Sequence, residues 1–336
     1  MKLIIQIPCL NEEATLGLTL EELPRQLPGI DQIERLVVDD GSTDRTAEVA
    51  RAHGVEHVIS FPRNLGLARA FVAGVEASLA AGADIIVNTD ADNQYCADDI
   101  PKLIQPILDG RAAIVIGARP VAEIQHFSWS KKLLQRIGSA VVRLASNTDV
   151  ADAPSGFRAF SREAAMHVNV FSRYSYTLET IIQAGQKNIP VISVPVRTNP
   201  LLRPSRLARN NWHYVTQSIG TIVRIFMSYS PLRFFLALSS APFLLGLAFI
   251  VRWLFIYWHG THRSHVPSLV AAAILLLSAV QLAIVGLVAD LLSVNRKLLE
   301  DIQLRMRRLQ LESRNDDGNS AELRLRSDDP GRNRAG

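Results

Sequence analysis

The sequence has few cysteines and lacks a recognisable secretory signal. Only two of its 336 residues are cysteine, Cys9 and Cys96, and they lie far apart in the chain. So sparse a set predicts no disulfide framework, which suits a reducing cytosol. The apolar run that ends at Pro8 is too short for a signal peptide and is soon followed by acidic residues. These absences argue against a disulfide-stabilised secreted protein.

Charge is missing from two long stretches in the carboxyl-terminal part of the chain. No charged residue occurs from 234 to 251 or from 266 to 289, stretches of 18 and 24 residues. As helices they would reach roughly 27 and 36 Å, against a hydrocarbon core of about 30 Å. They predict two transmembrane helices, the second of them tilted. Two buried core helices are the alternative, but they need an apolar core that the sequence does not otherwise supply.

The overall charge is also small, at +4 from 36 basic and 32 acidic residues, so no nucleic-acid partner is expected. Basic residues instead lie beside the apolar stretches, with two of them, Arg252 and Arg263, in the connection. By the positive-inside rule, this asymmetry predicts a multi-pass protein of the inner (cytoplasmic) membrane, with its main domain and both termini in the cytoplasm. The basic residues that precede the first apolar stretch or follow the second are Arg224, Arg233, Arg296, Lys297, Arg305, Arg307 and Arg308.

The first 200 residues alternate between short apolar runs and helical segments. Connections as short as these predict an α/β fold with a mainly parallel sheet flanked by helices. Such sheets bind their ligands beyond the carboxyl ends of the strands. The predicted strands are 3–7, 33–38, 55–60, 85–87, 113–116 and 191–196, and the predicted helices are 14–26, 44–53, 68–81, 98–108 and 176–186.

Two carboxylates follow the apolar run at 85–87. Asp90 and Asp92 are two residues apart, and in an extended chain such residues point to the same side. Two carboxylates that share one point repel each other unless a cation lies between them. A hard divalent ion with oxygen ligands, Mg²⁺ or Mn²⁺, suits that position. An Asp-x-Asp pair also occurs on ordinary surface loops. Whether this pair forms a metal site therefore depends on the residues in the neighbouring loops.

Polar loops follow other predicted strands at the same edge. Residues 8–13 follow the first strand, 39–44 follow the second, and 63–66 place a glycine before a helix, which is a good position for an anion. Asp39 and Asp40 could accept hydrogen bonds from a ribose or a base. The alternative is that the 39–44 loop only caps the next helix.

Four motifs stand in a distinctive order in this chain. They are Pro8-x-x-Asn11-Glu12, Asp39-Asp40-Gly-Ser-Thr-Asp44, Asn64-x-Gly66-x-x-x-Ala70 and Asp90-Ala-Asp92-x-Gln94. In this order they resemble family 2 glycosyltransferases of the A-type nucleotide-sugar fold. The similarity is greatest to the polyprenyl-phosphate sugar synthases and covers roughly residues 1–310. One departure is Tyr95-Cys96, where relatives often carry His-Pro.

The resemblance implies a metal-dependent, inverting transfer of a sugar from a UDP- or GDP-linked donor to a polyprenyl phosphate. It gives the metal, Mg²⁺ or Mn²⁺, to Asp90, Asp92 and Gln94. Asp92, Asp90 and Arg119 are the candidate catalytic residues. The nucleotide-binding candidates are Pro8, Leu10, Asn11, Glu12, Asp39, Asp40, Asn64, Gly66, Asp90 and Ala91.

Several arginines are predicted on loops between the nucleotide-binding half and the membrane. Guanidinium groups match phosphate oxygens bidentately, so these residues could hold an acceptor phosphate, although any one could also be an ordinary surface residue. Asp152 and Glu179 could assist catalysis or pair with an arginine. The acceptor-phosphate candidates are Arg119, Ser155, Arg158, Arg203 and Arg206, of which Ser155 and Arg158 lie in a segment that resembles the family's acceptor-side loop.

The sequence predicts five segments. The helix before the first span could lie at the membrane interface or pack on the catalytic domain. Relatives with a two-span tail suggest a homo-oligomer. The segments are a cytoplasmic glycosyltransferase domain (1–205), an amphipathic interfacial region (206–230), a transmembrane hairpin (231–293), a basic amphipathic cytoplasmic helix (294–312) and a disordered tail (313–336).

The acceptor chemistry needs no general base. A phosphate monoester is largely a dianion at cytosolic pH, so it can attack the anomeric carbon itself. A transferase that acts on a glycan or protein acceptor is the main alternative, but it would prefer a carboxylate base. A nucleotidyltransferase would need a basic, glycine-rich first loop, and a membrane scaffold or flippase would need more polar groups inside the membrane. The sugar and the base, UDP or GDP, stay open.

Overall fold

The computed structural model describes residues 1–120, 146, 148–170, 176–200, 223–224, 227, 230–258 and 266–327. The chain divides into two compact units. One unit contains Met1–Arg209 and Asp301–Gly336, and the other contains Asn210–Glu300.

The first unit contains a seven-stranded sheet in the order β3-β2-β1-β4-β6-β5-β7. All neighbouring strands are parallel except β6, which is antiparallel to both β4 and β5. The predicted mainly parallel sheet is therefore confirmed, whereas β6 was not predicted. The strands are β1 (Lys2–Cys9), β2 (Gln32–Asp39), β3 (His57–Ser60), β4 (Ile85–Asn88), β5 (Ile114–Ala118), β6 (Arg158–Ser161) and β7 (Val191–Pro195).

The described helices follow the predicted order with shifted boundaries, except that Arg162–Met166 was not predicted. The helix predicted at 14–26 is shorter in the structure, and the one predicted at 98–108 begins with a 3₁₀ turn at Ala97–Asp99. The helices are α1 (Leu16–Glu22), α2 (Thr46–Ala52), α3 (Leu67–Ala80), α4 (Ile100–Leu108), α5 (Arg162–Met166), α6 (Thr177–Gln186), α7 (Pro231–Trp258) and α8 (Val266–Ser327).

The pairing of strand β1 with β2 and β4 brings the polar loops after these strands to one edge of the sheet. Its residues Leu3, Ile4, Ile5 and Ile7 are fully buried, as expected for a parallel strand covered on both faces. β1 pairs with β2 on one side and with β4 on the other. Because all three strands are parallel, their carboxyl ends lie at one edge of the sheet, and so do the loops that follow them.

Two long apolar helices, one wholly and one partly in the second unit, match the two predicted spans. Pro231–Trp258 and Val266–Arg307 are long and apolar enough to cross a membrane, with mean hydropathies of 2.3 and 2.5 in their most apolar windows. Only 11% and 17% of those windows are buried, unlike the core helices of a soluble domain. A Cβ atom at Gly246 would lie 3.0 Å from Leu276, so the two helices pack closely through a small residue.

α8 is longer than the sequence predicted. It continues without a break to Ser327, and so joins the second span, the predicted helix at 294–312 and the first part of the tail predicted to be disordered from 313. Most of the predicted interfacial region at 206–230 lies outside the described residues.

Candidate active site

The loops after β1 and β2 are joined by hydrogen bonds. The backbone N–H of Asp40 donates to the carbonyl of Cys9 at 2.9 Å. The Asn11 N–H donates to Ser42 Oγ at 2.9 Å, and the Thr43 N–H donates to Asn11 Oδ1 at 2.8 Å. Asn11 adopts a left-handed conformation with φ 55°, which asparagine tolerates better than most residues. The structure thus brings together two of the predicted nucleotide-binding loops.

The other residues predicted in the first loop lie beside this junction. Pro8 is buried at the end of β1, whereas Leu10 and Glu12 are half-buried. The Glu12 N–H donates to Thr46 Oγ1 at 2.9 Å, and Glu12 Oε2 accepts a hydrogen bond from Thr15 Oγ1 at 2.9 Å. The first loop is therefore held against the beginnings of α1 and α2.

Asp39 and Asp40 are nearly buried and have different partners. Asp39 Oδ1 accepts a hydrogen bond from the Ser42 N–H at 2.9 Å. Asp40 accepts hydrogen bonds from the Leu65 N–H at 2.7 Å and from the Gly66 N–H at 2.9 Å. Asp40 therefore connects the β2 loop to the loop that carries Asn64 and Gly66, a contact that the sequence did not predict.

Gly41 allows these two loops to touch. A Cβ atom at Gly41 would lie 2.4 Å from the carbonyl carbon of Arg63 and 2.6 Å from the backbone nitrogen of Asn64. Its φ of 73° also favours glycine. No other residue could take this position without moving the Arg63–Asn64 backbone.

Asp90 and Asp92 lie on the loop that follows β4, and both are half-buried. Asp92 Oδ1 accepts a hydrogen bond from the Gln94 N–H at 3.1 Å, and Asn93 between them has φ 55°. Ala91 is buried, and its carbonyl accepts a hydrogen bond from Thr19 Oγ1 at 3.1 Å. Burial, and then the negative charge of Asp92, raise the pKa of Asp90 to about 7.

This donor set fits a hard divalent cation. Among the described residues there is no group of three or more His, Cys, Asp or Glu that could hold a metal ion. The protein's contribution at this loop is therefore a pair of carboxylates, and the raised pKa of Asp90 marks negative charge that a cation would stabilise. Mg²⁺ is commonly bound in this way, by one or two carboxylates together with water and substrate phosphates.

Arg119 lies just after β5 and is paired with Asp152. Its Nε donates to Asp152 Oδ2 at 2.8 Å, and its Nη2 donates to Oδ1 at 3.2 Å. These bonds use two of the five N–H donors of a guanidinium. The positive charge of Arg119 also acts on Asp90, where it opposes the rise in pKa. The structure thus identifies Asp152, left open by the sequence, as the partner of Arg119.

Arg158 and Ser155 differ from their predicted placement. Arg158 is not on a loop: it begins β6, and its side chain is fully buried. It donates to the carbonyls of Ser155, Thr177 and Ala153 at 2.6 to 2.7 Å, and to Thr180 Oγ1 at 2.7 Å. Buried donors need acceptors, and here the chain itself supplies them. Ser155 is also fully buried, so this structure exposes neither side chain to an acceptor phosphate.

The remaining candidates lie elsewhere. Glu179 is buried on α6. Arg203 and Arg206 lie outside the described residues, so their predicted role stays a prediction.

A segment that supports the Asp92 loop was not predicted from the sequence. The Asn199 N–H donates to the Gln94 carbonyl at 2.9 Å, and Asn199 Nδ2 donates to the Asn93 carbonyl at 3.1 Å. Thr198 forms an antiparallel bridge with Tyr95. These partners are more than 100 residues apart, and no local pattern predicts such a contact.

The sheet and its carboxyl-edge loops define a protein class, the A-type glycosyltransferase fold. The family model for "Glycosyl transferase family 2" matches residues 4–168. The UDP-N-acetylglucosamine–dolichyl-phosphate N-acetylglucosaminyltransferase of Methanococcus voltae is 30% identical over 213 residues, which cover 57% of this chain and 83% of that relative. The chain therefore belongs to glycosyltransferase family 2 and is a glycosyltransferase.

Two further comparisons agree with this. The undecaprenyl-phosphate mannosyltransferase of Micrococcus luteus is 28% identical over 206 residues, covering 58% of this chain and 83% of the relative. A structure of glucosyl-3-phosphoglycerate synthase from Mycobacterium tuberculosis with Mn²⁺, UDP and glucosyl-3-phosphoglycerate is similar in fold, with a TM-score of 0.52 at 23% identity over 68% of this chain and 79% of that one. The predicted resemblance to the polyprenyl-phosphate sugar synthase group is confirmed.

Proposed function

We propose that the protein transfers a sugar from a UDP- or GDP-linked donor to a polyprenyl phosphate at the cytoplasmic face of the inner membrane. The observation that carries the proposal is the Asp90–Asp92 pair, which lies at the edge shared by β1, β2 and β4 and within the electrostatic influence of Arg119. In this proposal one phosphate group binds at the carboxylate pair through a metal ion, and Arg119 is the cationic group for another. The dolichyl- and undecaprenyl-phosphate relatives and the two apolar helices support the choice of a lipid acceptor.

The donor nucleotide would lie across the loops that follow β1 and β2. In this proposal Pro8, Leu10, Asn11 and Glu12 form one side of its site, and Asp39 accepts hydrogen bonds from its hydroxyl or N–H groups. Three further candidates, Asp40, Asn64 and Gly66, form the other side. There Asp40 acts through the loop that it holds, because its oxygens already accept hydrogen bonds from that loop.

The chain's own residues would act by positioning and by charge. Asp90, Asp92 and Gln94 would hold the divalent cation, which when bound neutralises the departing diphosphate. Glucosyl-3-phosphoglycerate synthase structures that contain Mn²⁺ or Mg²⁺ with UDP support divalent metal use. Arg119, which donates to Asp152 through Nε and Nη2, would direct its other N–H groups at the acceptor phosphate.

The acceptor phosphate is its own nucleophile in this proposal. Because its second pKa is near 6, it is mostly a dianion at cytosolic pH and needs no base. Arg119 would orient it for attack on the anomeric carbon, on the side opposite to the leaving diphosphate. A single displacement of this kind inverts the anomeric centre.

The test is sugar transfer by the purified full-length protein. With Mg²⁺ or Mn²⁺ present, we expect one of a panel of labelled UDP- and GDP-sugars to transfer its label to undecaprenyl phosphate. Asp92→Ala should lower this rate by about a hundredfold or more, since a metal ion at the leaving group supplies several kcal/mol of stabilisation. The measurement is the labelled lipid product formed per unit time.

Asp98→Ala is the matched control, because Asp98 is an exposed acidic residue six positions along the same region. It should keep wild-type activity, and both variants should keep the wild-type melting temperature. Full activity in Asp92→Ala would contradict the metal role. Transfer to a glycan or protein, but never to undecaprenyl phosphate, would favour the alternative acceptor.

A further inference from the structure

A buried polar cluster lies against Asp90 and has no part in the chemistry proposed above. It consists of Asn88, Tyr95, Gly156 and Tyr176, and we call it the Gly156 niche. Its three side chains are all buried. Tyr95 is the residue at which the sequence departs from the His-Pro pattern of its relatives.

Gly156 is in contact with the carboxylate of Asp90. A Cβ atom at position 156 would lie 2.8 Å from Asp90 Oδ1 and 3.0 Å from Oδ2, and 3.1 Å from the hydroxyl of Tyr176. Real Cβ atoms essentially never come closer than 3.0 Å to such neighbours. The Asp90 carboxylate therefore occupies the space that a side chain at position 156 would need.

The Gly156 backbone is held from both sides. Its N–H donates to the hydroxyl of Tyr95 at 3.1 Å, and its carbonyl accepts a hydrogen bond from Asn88 Nδ2 at 2.8 Å. Asn88 Nδ2 also donates to the Tyr176 hydroxyl at 2.9 Å, and Asn88 Oδ1 accepts a hydrogen bond from Gln6 Nε2 at 2.9 Å. Gln6 lies on β1 and Asn88 on β4, so the glycine is fixed to the two strands whose ends carry Asn11 and Asp90.

Aromatic stacking holds the two hydroxyls in place. The ring of Tyr95 stacks on Phe157 with centroids 5.0 Å apart and planes at 20°. The ring of Tyr176 stacks on Phe71 with centroids 3.8 Å apart and planes at 8°. Hydrogen bonds and stacked rings together favour a rigid arrangement, which is what a metal ligand needs from its support.

Asp90 needs such support because of its charge. Two carboxylates beside each other repel, and a side chain with room to rotate would move towards solvent and away from its partner. We infer that Tyr95, Asn88 and Gly156 are positioning residues that hold the Asp90 carboxylate where it and Asp92 can share one divalent cation. The inference rests on the proposed function, because it requires a metal at this pair.

The experiment measures Mn²⁺ binding to the full-length protein in detergent, with Mn²⁺ as the only added ligand and its free concentration followed by electron paramagnetic resonance. Gly156→Ala crowds the Asp90 carboxylate, whereas Tyr95→Phe removes one hydroxyl and leaves the ring on Phe157. In each variant we expect the Kd for Mn²⁺ to rise about tenfold or more, as it does when residues that orient a metal ligand are lost.

Two controls separate positioning from structural damage. Gly17→Ala introduces similar crowding on α1, with its Cβ 3.1 Å from the His53 ring, and should bind Mn²⁺ like the wild type. Asp92→Ala removes a proposed metal ligand, so its Kd for Mn²⁺ shows how weak binding becomes when the site is lost. If Gly156→Ala does not fold, Tyr95→Phe carries the test, and its melting temperature should stay close to that of the wild type.

The measured Kd values and melting temperatures can overturn the inference in three ways. Wild-type Mn²⁺ affinity in Tyr95→Phe and in folded Gly156→Ala, beside lost binding in Asp92→Ala, would overturn the inference and leave the metal site standing. A lower melting temperature with an unchanged Kd would overturn it equally, since the niche would then be structural only. Equal binding by the wild type and Asp92→Ala would overturn the metal site of the proposed function, and the inference with it.

Discussion

At the scale of single residues, the aspartates of one short motif have different partners. Asp40 accepts hydrogen bonds from the loop that ends at Gly66, whereas Asp44 accepts one from the Thr46 N–H at the start of α2 and one from the Glu13 N–H. The motif therefore acts partly as a junction between loops. A substitution of Asp40 would act on a bound nucleotide through the displaced loop as well as through any direct contact.

Arg119 gives a prediction at the same scale. We expect Arg119→Lys to raise the KM for undecaprenyl phosphate about tenfold, since a lost charged hydrogen bond costs about 1.5 kcal/mol or more. A lysine ammonium lacks the planar fork with which a guanidinium can contact Asp152 bidentately and a phosphate at the same time. The KM for the donor sugar should change little. The measurement is steady-state kinetics in which each substrate is varied in turn.

Arg111→Lys is its matched control, because Arg111 is exposed and forms an ion pair with Asp109 on the same turn. It should leave both KM values unchanged. If Arg119→Lys changed the KM for the donor sugar more than the KM for undecaprenyl phosphate, the proposed role of Arg119 at the acceptor would be contradicted.

At the scale of elements, the segment after β7 is fastened to the 3₁₀ turn before α4. The backbone N–H of Arg197 donates to Asp99 Oδ2 at 2.6 Å, and its Nη2 donates to Asp99 Oδ1 at 2.9 Å. Although burial opposes the shift, hydrogen bonds from Arg197 and Lys102 lower the pKa of Asp99 to about 2. This ion pair keeps Asn199 in place against the Asp92 loop.

The lowered pKa of Asp99 predicts how stability depends on pH. The ordinary pKa of an aspartate is about 3.9, so the folded state favours the ionised form. The resulting stabilisation, about 2 kcal/mol, is fully present above pH 4 and is lost as the pH falls towards 2. We expect Asp99→Asn to lower the melting temperature by several degrees at pH 7 and by less at pH 3, measured by thermal unfolding in detergent.

Asp98→Asn serves as the control for this change. Asp98 is next in the chain and exposed, and its nearest Arg197 nitrogen is 3.8 Å away, so the melting temperature should change little. If Asp99→Asn lowered the melting temperature equally at pH 7 and at pH 3, the proposed link between stability and the ionisation of Asp99 would be contradicted.

The far part of α8 is also attached within the first unit. Arg307 Nη1 donates to the carbonyl of Val168 at 2.6 Å, and its Nη2 contacts Glu76 Oε1 at 3.0 Å. Val168 lies just beyond the end of α5 and Glu76 lies on α3. Arg307 was predicted only as one of the charges that orient the chain in the membrane, and the structure gives it specific partners as well.

At the scale of the whole molecule, the charge asymmetry predicts one orientation in the membrane. In a Cys96→Ser background, we expect Thr261→Cys, in the connection between the two spans, to react with a membrane-impermeant maleimide in intact spheroplasts. Glu48→Cys, on α2 of the catalytic domain, should react only after the membrane is opened. The physical reason is the excess of basic residues before the first span and after the second, because segments rich in Lys and Arg stay on the cytoplasmic side. The measurement is the labelled fraction of each variant.

Denatured protein provides the control for both variants, because each cysteine should label fully there. The buried Cys9 should stay unlabelled in the native protein. Labelling of Glu48→Cys and protection of Thr261→Cys in intact spheroplasts would reverse the proposed topology. The homo-oligomer suggested by two-span relatives stays a prediction.

Local sequence patterns were enough to predict the features that depend on neighbouring residues. The apolar runs of β1, β2 and β4, the turn residues after them and the charge-free spans are all local patterns, so their order predicted the fold and the edge that carries the carboxylates. The strand β6 was missed because its four residues begin with a charged one and carry little apolar pattern. The helix α8 ran past its predicted end for a related reason, since a polar composition does not by itself exclude a helix.

Contacts between side chains that are far apart in the chain come from the three-dimensional arrangement of the strands. Asp152 pairs with Arg119 across 33 positions, Arg158 turns inward on β6, and Gly156 lies against Asp90 across the antiparallel step between β4 and β6. Such contacts depend on the order and direction of strands in the sheet, and neither periodicity nor turn chemistry encodes them. For that reason the sequence could name the carboxylates, whereas the residues that hold them in place became visible only in the folded chain.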